Sequence, residues 1–308
     1  MRPRSRRPAI EPAQRPGVVA HRGASSDAPE HTLAAYVAAI SSGADALECD
    51  VRLTRDGHLV CVHDRTVNRT SDGHGVVSEL DLPGLAALDF ASWRGDLPGS
   101  ADQLLNDSPY LAGVAPDRVD SGGGVLTLEM LLGLVADHRA GGRDLRLLIE
   151  TKHPTRYGGL VEKELVEMLG RFGWAGDPPD QPSVRLPADR DNPVTVMSFA
   201  PIALRRVKLQ APRIPTVLLL DRLLPVRRDG FLPVGVAVAG PGLHVLRAEP
   251  EFVAKAHARG YPVYVWTVDR PRDVEFVLDL GVDTVITDRP REVIQEIDRR
   301  LDTVERGR

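Results

Sequence analysis

The chain has 308 residues, 42% hydrophobic and 27% charged, enough to bury one large barrel domain or two ordinary ones. A net charge of −4 argues against the basic stripe of a nucleic-acid-binding protein, so no nucleic-acid partner is expected. No run approaches the ~18 apolar residues that a membrane span needs. Cys49 and Cys61 lie in strand-like runs without zinc-ligand spacing. They imply no disulfide framework, and a reducing, cytoplasmic compartment is the expectation.

Residues 1–16 carry Arg2, Arg4, Arg6, Arg7 and Arg15 but no apolar h-region. They read as a disordered, solvated tail and not as an export signal. From residue 17 to residue 301 short apolar runs alternate with amphipathic ones. The runs predict strands at 17–20, 44–51, 145–149, 194–198, 216–220, 235–239, 262–267 and 284–287. Helices are expected at 31–40, with Leu33, Tyr36, Val37 and Ile40 on one face, and at 160–169, with Leu160, Leu165, Val166 and Leu169. Four more, at 201–209, 250–258, 271–280 and 290–301, each open with proline, which suits a first helical turn. Gly260 and Gly281 sit where C-cap glycines would.

Eight buried strands alternating with helices predict an α/β fold of the closed (β/α)8 TIM-barrel type. The open doubly wound sheet fits less well, because the chemical residues stand at the ends of several strands. The alternation breaks at 56–124, which predicts an insertion between the second strand and its helix, beginning with a hairpin-like piece at 59–63. It breaks again at 174–193, a stretch dense in Pro and Asp that reads as a surface loop. Between 221 and 233 the chain is too short for a full helix, so the fifth helix is expected to be degenerate. Residues 302–308 read as a second tail.

Glu48 and Asp50 are two residues apart, as are Glu150 and Lys152, and each pair ends an apolar run. With a side-chain period of two, each pair points to one side of its strand, while Cys49 faces away into the packing between strand and helix. Acids and a lysine converging from strand ends make poor core, since unpaired buried charge is costly. They suit a divalent cation and a phosphate. An isolated Glu-x-Asp would read as surface ion pairs, but placement at strand ends favours a site.

Several motifs occur in order: Ala20-His21-Arg22-Gly23, Pro29-Glu30-His31-Thr32, Leu47-Glu48-Cys49-Asp50-Val51, and Asp56-Gly57 through Val62-His63-Asp64. They continue with Leu128-Glu129, Ile149-Glu150-Thr151-Lys152, Met197-Ser198-Phe199, Val265-Trp266-Thr267-Val268 and Thr287-Asp288-Arg289-Pro290. Over residues 18 to about 292 the chain resembles the glycerophosphodiester phosphodiesterase family. The resemblance implies a (β/α)8 barrel with an insertion after the second strand, where the stretch after Asp56 lies. It implies Glu48, Asp50 and Glu150 as ligands of one divalent cation, and their hard oxygen donors suit Mg²⁺ or Ca²⁺.

By the same resemblance His21 and His63 form the acid–base pair, Arg22 and Lys152 clamp the phosphate, Glu30 borders the site, and Trp266 packs against the glycerol moiety. Histidine titrates near neutrality, and arginine grips non-bridging oxygens bidentately. The implied activity is hydrolysis of small glycerophosphodiesters to sn-glycerol 3-phosphate and an alcohol, with water or the substrate 2-hydroxyl as nucleophile. The family usually has asparagine where this chain has His31. A lysophospholipase D-type reading of the same site needs an apolar rim, for which Leu85, Leu88, Phe90 and Trp93 offer themselves. They serve equally as a core for the insertion, the reading preferred here. A non-catalytic phosphate-binding barrel is disfavoured because every expected catalytic position is filled, and a metal-dependent sugar isomerase because it would not call for Arg22.

Overall fold

A computed structural model describes residues 15–92, 123–176, 183–184 and 187–306, with residues 304–306 as backbone only. The arginines before residue 15, and Trp93, lie outside the described residues. Eight parallel strands follow one another around a barrel: β1 (Gly17–Ala20), β2 (Ala46–Leu53), β4 (Arg146–Thr151), β5 (Val194–Ser198), β6 (Thr216–Leu220), β7 (Val238–Pro241), β8 (Tyr264–Val265) and β9 (Thr284–Thr287). β1 pairs with both β2 and β9, and single bridges Ala239–Val263 and Gly242–Trp266 join β7 to β8. The structure is therefore the expected TIM barrel, with β8 reduced to two paired residues.

Helices cover the strands from outside. They are α1 (Leu33–Ser41), α3 (Leu128–Ala140), α4 (Leu160–Arg171), α5 (Pro201–Gln210), α6 (Leu243–Ala248), α7 (Phe252–His257), α8 (Pro271–Leu280) and α9 (Pro290–Arg306), with the short α2 (Leu82–Ala86) inside the insertion. After β6 only a single 3-10 turn, Pro225–Arg227, stands in place of the degenerate fifth helix. The described part of 174–193, up to the start of β5 at Val194, holds no helix.

Some boundaries differ from expectation for identifiable reasons. α1 begins at Leu33, not residue 31, because Thr32 is the N-cap and accepts from the Ala35 amide, while His31 has a left-handed backbone (φ 61°) that no helix admits. Glu30 therefore does not sit in the first turn of a helix. The single helix expected at 250–258 is α7, starting at Phe252, preceded by α6. The chain end expected as a tail from residue 302 continues α9 as far as Arg306. Arg15, placed with the N-terminal tail, is anchored by ion pairs at 3.1 Å to Asp45 and Asp298. No helix among the described residues is long and apolar enough to cross a membrane.

Two cores follow from strand parity. Leu47, Cys49, Val51, Leu147 and Ile149 point outward into the large layer between barrel and helices, so Cys49 packs where expected. Ala46, Leu148, Val19, Met197, Val217 and Ile286 point inward and fill the barrel floor. The insertion builds a third core from Val60, Val62, Val67, Val77, Leu85, Phe90 and Val125, with Leu88 packed against it. Its strand β3 (Leu59–Cys61) runs antiparallel to β2. Leu85 and Phe90 are buried there and so supply no rim for an acyl chain.

Candidate active site

The inward row of β2 changes from apolar to charged as it nears the barrel mouth: Ala46, Glu48, Asp50, Arg52. The inward row of β4 does the same with Leu148, Glu150 and Lys152, and the register sets Asp50 opposite Glu150. Glu48, Asp50 and Glu150 are all buried, and one carboxylate oxygen from each lies within 4.8 Å of the others. The two expected pairs, Glu48 with Asp50 and Glu150 with Lys152, thus meet in one cluster at the C-terminal end of the strands, where barrel enzymes place their chemistry.

The cluster is short of positive charge. Lys152 Nζ lies 2.8 Å from Glu150 and 3.2 Å from Asp50, and Arg22 Nε lies 3.0 Å from Asp50. The Lys152 contact with Asp50 is to Oδ1, a buried oxygen that makes no hydrogen bond of good geometry. Burial and the charge of Asp50 push Glu48 well above the usual carboxylate range and Glu150 up to about 7. Burial alone would raise Asp50 as well, but the His31 hydrogen bond together with Lys152 and Arg22 holds it well below its usual value. Three buried carboxylates packed within 4.8 Å of one another, offering only hard oxygen donors, are the surroundings a divalent cation would complete, so the residues fit Mg²⁺ or Ca²⁺.

The β1–α1 loop builds one side. The Arg22 amide donates to Glu48 Oε2 at 2.9 Å, and Arg22 itself has a positive φ of 59°. Such backbone angles in non-glycine residues are uncommon and gather at functional sites. Next to it Gly23 (φ 84°) lies so close to α1 that a Cβ would stand 2.6 Å from the Ala35 carbonyl carbon, so only glycine fits. His31 accounts for its own left-handed angle, which Asn and His adopt more readily than most residues. Its Nδ1 lies 2.8 Å from the Tyr36 hydroxyl and its Nε2 2.9 Å from Asp50. It is a site residue that sequence reasoning left out, although its place in a four-residue motif beside Glu30 was a signal.

Each histidine of the expected pair is oriented by an aspartate. His21 Nδ1 lies 2.6 Å from Asp288, a residue 267 positions away, and the Ser25 hydroxyl donates to the same carboxylate oxygen. His63 Nδ1 lies 2.7 Å from Asp64. Burial draws His63 below its ordinary value, assisted by Arg22 and Lys152 and opposed by Asp50 and Asp64. Arg69 then binds Asp64 through Nε and Glu30 bidentately, all at 2.7 Å, while Glu30 holds Arg22 Nη1 at 3.0 Å. One ion-pair chain thus runs from the His63 side to the Arg22 side. Asp288 lies in the Thr287-Asp288-Arg289-Pro290 motif, but its distance from His21 in the chain hid its role, and Arg69 carried no signal of its own.

Trp266 directly follows β8. Its indole N–H donates to Gly240 O at 2.7 Å, and its ring meets Phe199 edge-on with centroids 5.4 Å apart. Phe199 lies 6.0 Å from Lys152 Nζ, so an aromatic wall reaches from Trp266 to the charged cluster.

Comparison with known proteins points the same way. The sequence model described as the glycerophosphoryl diester phosphodiesterase family matches residues 21–292. The chain is 42% identical over 270 residues to a Mycobacterium tuberculosis protein named probable glycerophosphodiester phosphodiesterase 1, covering 88% of each chain. It is 31% identical over 279 residues to the Bacillus subtilis glycerophosphodiester phosphodiesterase, covering 87% of this chain and 82% of that one. Among solved structures, an Oleispira antarctica phosphodiesterase in complex with the product sn-glycerol-3-phosphate superposes with a TM-score of 0.71 at 24% identity, covering 92% of this chain and 97% of that one. A family match that spans most of the chain, carried by a barrel with these charged strand ends, places the protein in the glycerophosphoryl diester phosphodiesterase family.

Proposed function

We propose that the chain hydrolyses glycerophosphodiesters to sn-glycerol 3-phosphate and an alcohol, with one divalent cation held by Glu48, Asp50 and Glu150 and with His21 and His63 as acid and base. Family membership makes it a phosphoric diester hydrolase. The finer reading rests on one juxtaposition: two aspartate-oriented imidazoles belong to the same mouth as a buried three-carboxylate cluster. When bound, a divalent cation there would neutralise the carboxylates and offset charge growing on the phosphoryl oxygens.

This chain's residues would do the rest. Arg22, steadied by Glu30, and Lys152 would hold the non-bridging oxygens through charge-assisted hydrogen bonds. One imidazole takes the proton of the attacking hydroxyl as its oxygen bonds to phosphorus. The phosphorus–oxygen bond to the alcohol then breaks, and the other imidazole returns a proton to the leaving alkoxide. Asp288 and Asp64 would fix the tautomers by accepting from the Nδ1–H groups, leaving each Nε2 for the proton transfer. Trp266 would wall the glycerol moiety. The attacking hydroxyl is water, or it is the substrate's own 2-hydroxyl, in which case a cyclic phosphate forms first and a water molecule then opens it to glycerol 3-phosphate.

The lysophospholipid alternative is less favoured, because Leu85 and Phe90 are buried in the insertion's core with Leu88 packed against it. The test is an assay of EDTA-stripped protein on glycerophosphocholine, with Mg²⁺ or Ca²⁺ added back. The expected result is release of glycerol 3-phosphate and choline only after add-back. Stripped protein as active as untreated protein would contradict the metal reading, and no cleavage under any condition would contradict the activity.

A further inference from the structure

A cavity of about 370 Å³ opens beside the carboxylate cluster, between the insertion and the loop that follows β4. Its lining carries four cations, Arg52, Arg65, Lys152 and Arg156, against one acid, Glu79. Glu79 approaches Arg156 only to 3.9 Å with both side chains largely exposed, a pair that neutralises little. Among the described residues the ion pairs of this neighbourhood leave Arg52 and Arg65 without an acid partner.

Arg52 continues the inward row of β2 and is half-buried. Its Nε and Nη2 donate to the His63 carbonyl oxygen at 3.0 and 2.7 Å, leaving its remaining N–H groups unassigned. A half-buried cation without its own acid is costly, and an arriving anion would relieve that cost. The two walls are fixed to each other, since the Tyr157 hydroxyl donates to Ser78 O at 2.7 Å.

We propose that this cavity receives the alcohol half of the substrate and favours alcohols that themselves carry a phosphate group. The inference rests on the hydrolase reading above. Lys152 is the shared wall: it lines the cavity, contacts Asp50 and Glu150, and has the Phe199 ring 6.0 Å from its Nζ. With the glycerol moiety against Trp266, the cavity is the space left for the leaving alcohol. Its guanidinium groups match phosphate oxygens in geometry as well as charge.

The test compares three glycerophosphodiesters that differ only in the alcohol: choline, glycerol, and glycerol bearing a terminal phosphate. The wild-type kcat/KM should be about tenfold higher for phosphorylated than for unphosphorylated glycerol, and lowest for choline. In the R65E/R156E double variant, both changes being on exposed side chains, that ratio should fall by about tenfold. A wild-type ratio near one, or a ratio that the double variant leaves unchanged, overturns the inference while the hydrolase reading stands.

If none of the three is cleaved, the hydrolase reading fails. Calorimetry of the phosphorylated diester on metal-free protein then decides the inference. Binding weakened in R65E/R156E upholds an anion site, and binding equal in both proteins, or absent, overturns it.

Discussion

The imidazole Nε2 of His31 lies 2.9 Å from Asp50 Oδ2, and both residues are buried. Tyr36 completes the arrangement, with its hydroxyl 2.8 Å from His31 Nδ1 and 3.0 Å from the Glu48 carbonyl oxygen, to which it donates. One aromatic pair on the first helix and its entry loop therefore ties down two of the three carboxylate residues. His31→Ala should weaken Mg²⁺ or Ca²⁺ binding by about 10- to 100-fold, measured by calorimetry. It should also lower stability by about 1–3 kcal/mol through the unpaired polar groups left behind. His31→Asn, which tolerates the same backbone angle and keeps a donor, should recover part of both. Wild-type cation affinity in His31→Ala would show that Asp50 needs no such support.

Cation binding should depend on pH with a definite sign. Glu150 is raised to about 7 and Glu48 well above its usual value in the metal-free protein, so below neutrality these groups hold protons that a cation must displace. A raised carboxylate also makes the metal-free fold lose stability as pH climbs from the unfolded value near 4.5 to about 7, because there the native state binds more protons than the unfolded chain. The rise in melting temperature on adding excess Mg²⁺ or Ca²⁺ should therefore be small at acidic pH and grow through neutrality. A shift of equal size across that range would contradict the protonated state of the cluster.

Histidine variants separate chemistry from folding. His21→Ala and His63→Ala should each lower kcat by roughly 10²- to 10⁴-fold. Their circular dichroism and melting temperatures should stay close to wild type, because both rings are partly exposed at the mouth. Steady-state assays on glycerophosphocholine check this. Near-normal turnover in either variant removes that histidine from the acid–base role.

Glu30 gives a prediction with the opposite pH sign. Burial alone would raise it, but Arg69 and Arg22 hold it down to about 2, below its ordinary 4.5. Its contribution to stability is present above the unfolded value and disappears as pH falls from 4.5 towards 2. Glu30→Gln should be less stable than wild type at pH 7 by on the order of 2 kcal/mol, with the gap closing in acid. Urea denaturation at several pH values measures it. A gap that does not change with pH would mean that Glu30 acts through packing alone.

Much of this was readable before any coordinates. β1, β5, β6, β9 and α8 match their expected spans because glycine or proline punctuates short apolar runs on either side. The helix Leu128–Ala140 was not among the expected ones, although Leu128, Leu131, Leu132 and Val135 form a buried face at helical spacing behind the Thr127 cap. In the site, strand parity was enough to align Glu48 with Asp50 and Glu150 with Lys152. The same parity extends to Arg52, the next inward residue of β2. What parity cannot reveal is a partner from elsewhere: Asp288 reaches His21 only because β9 closes against β1. Nor does it reveal the left-handed turn at His31 that aims the ring at Asp50.

The most direct measurement is a calorimetric titration of EDTA-stripped protein with Ca²⁺ and Mg²⁺, repeated on Glu48→Gln, Asp50→Asn and Glu150→Gln. Three carboxylates sharing one ion predict a single cation bound per chain, with affinity lost or sharply reduced in every variant. Binding that survives all three substitutions, or no binding to the wild-type chain, would contradict it.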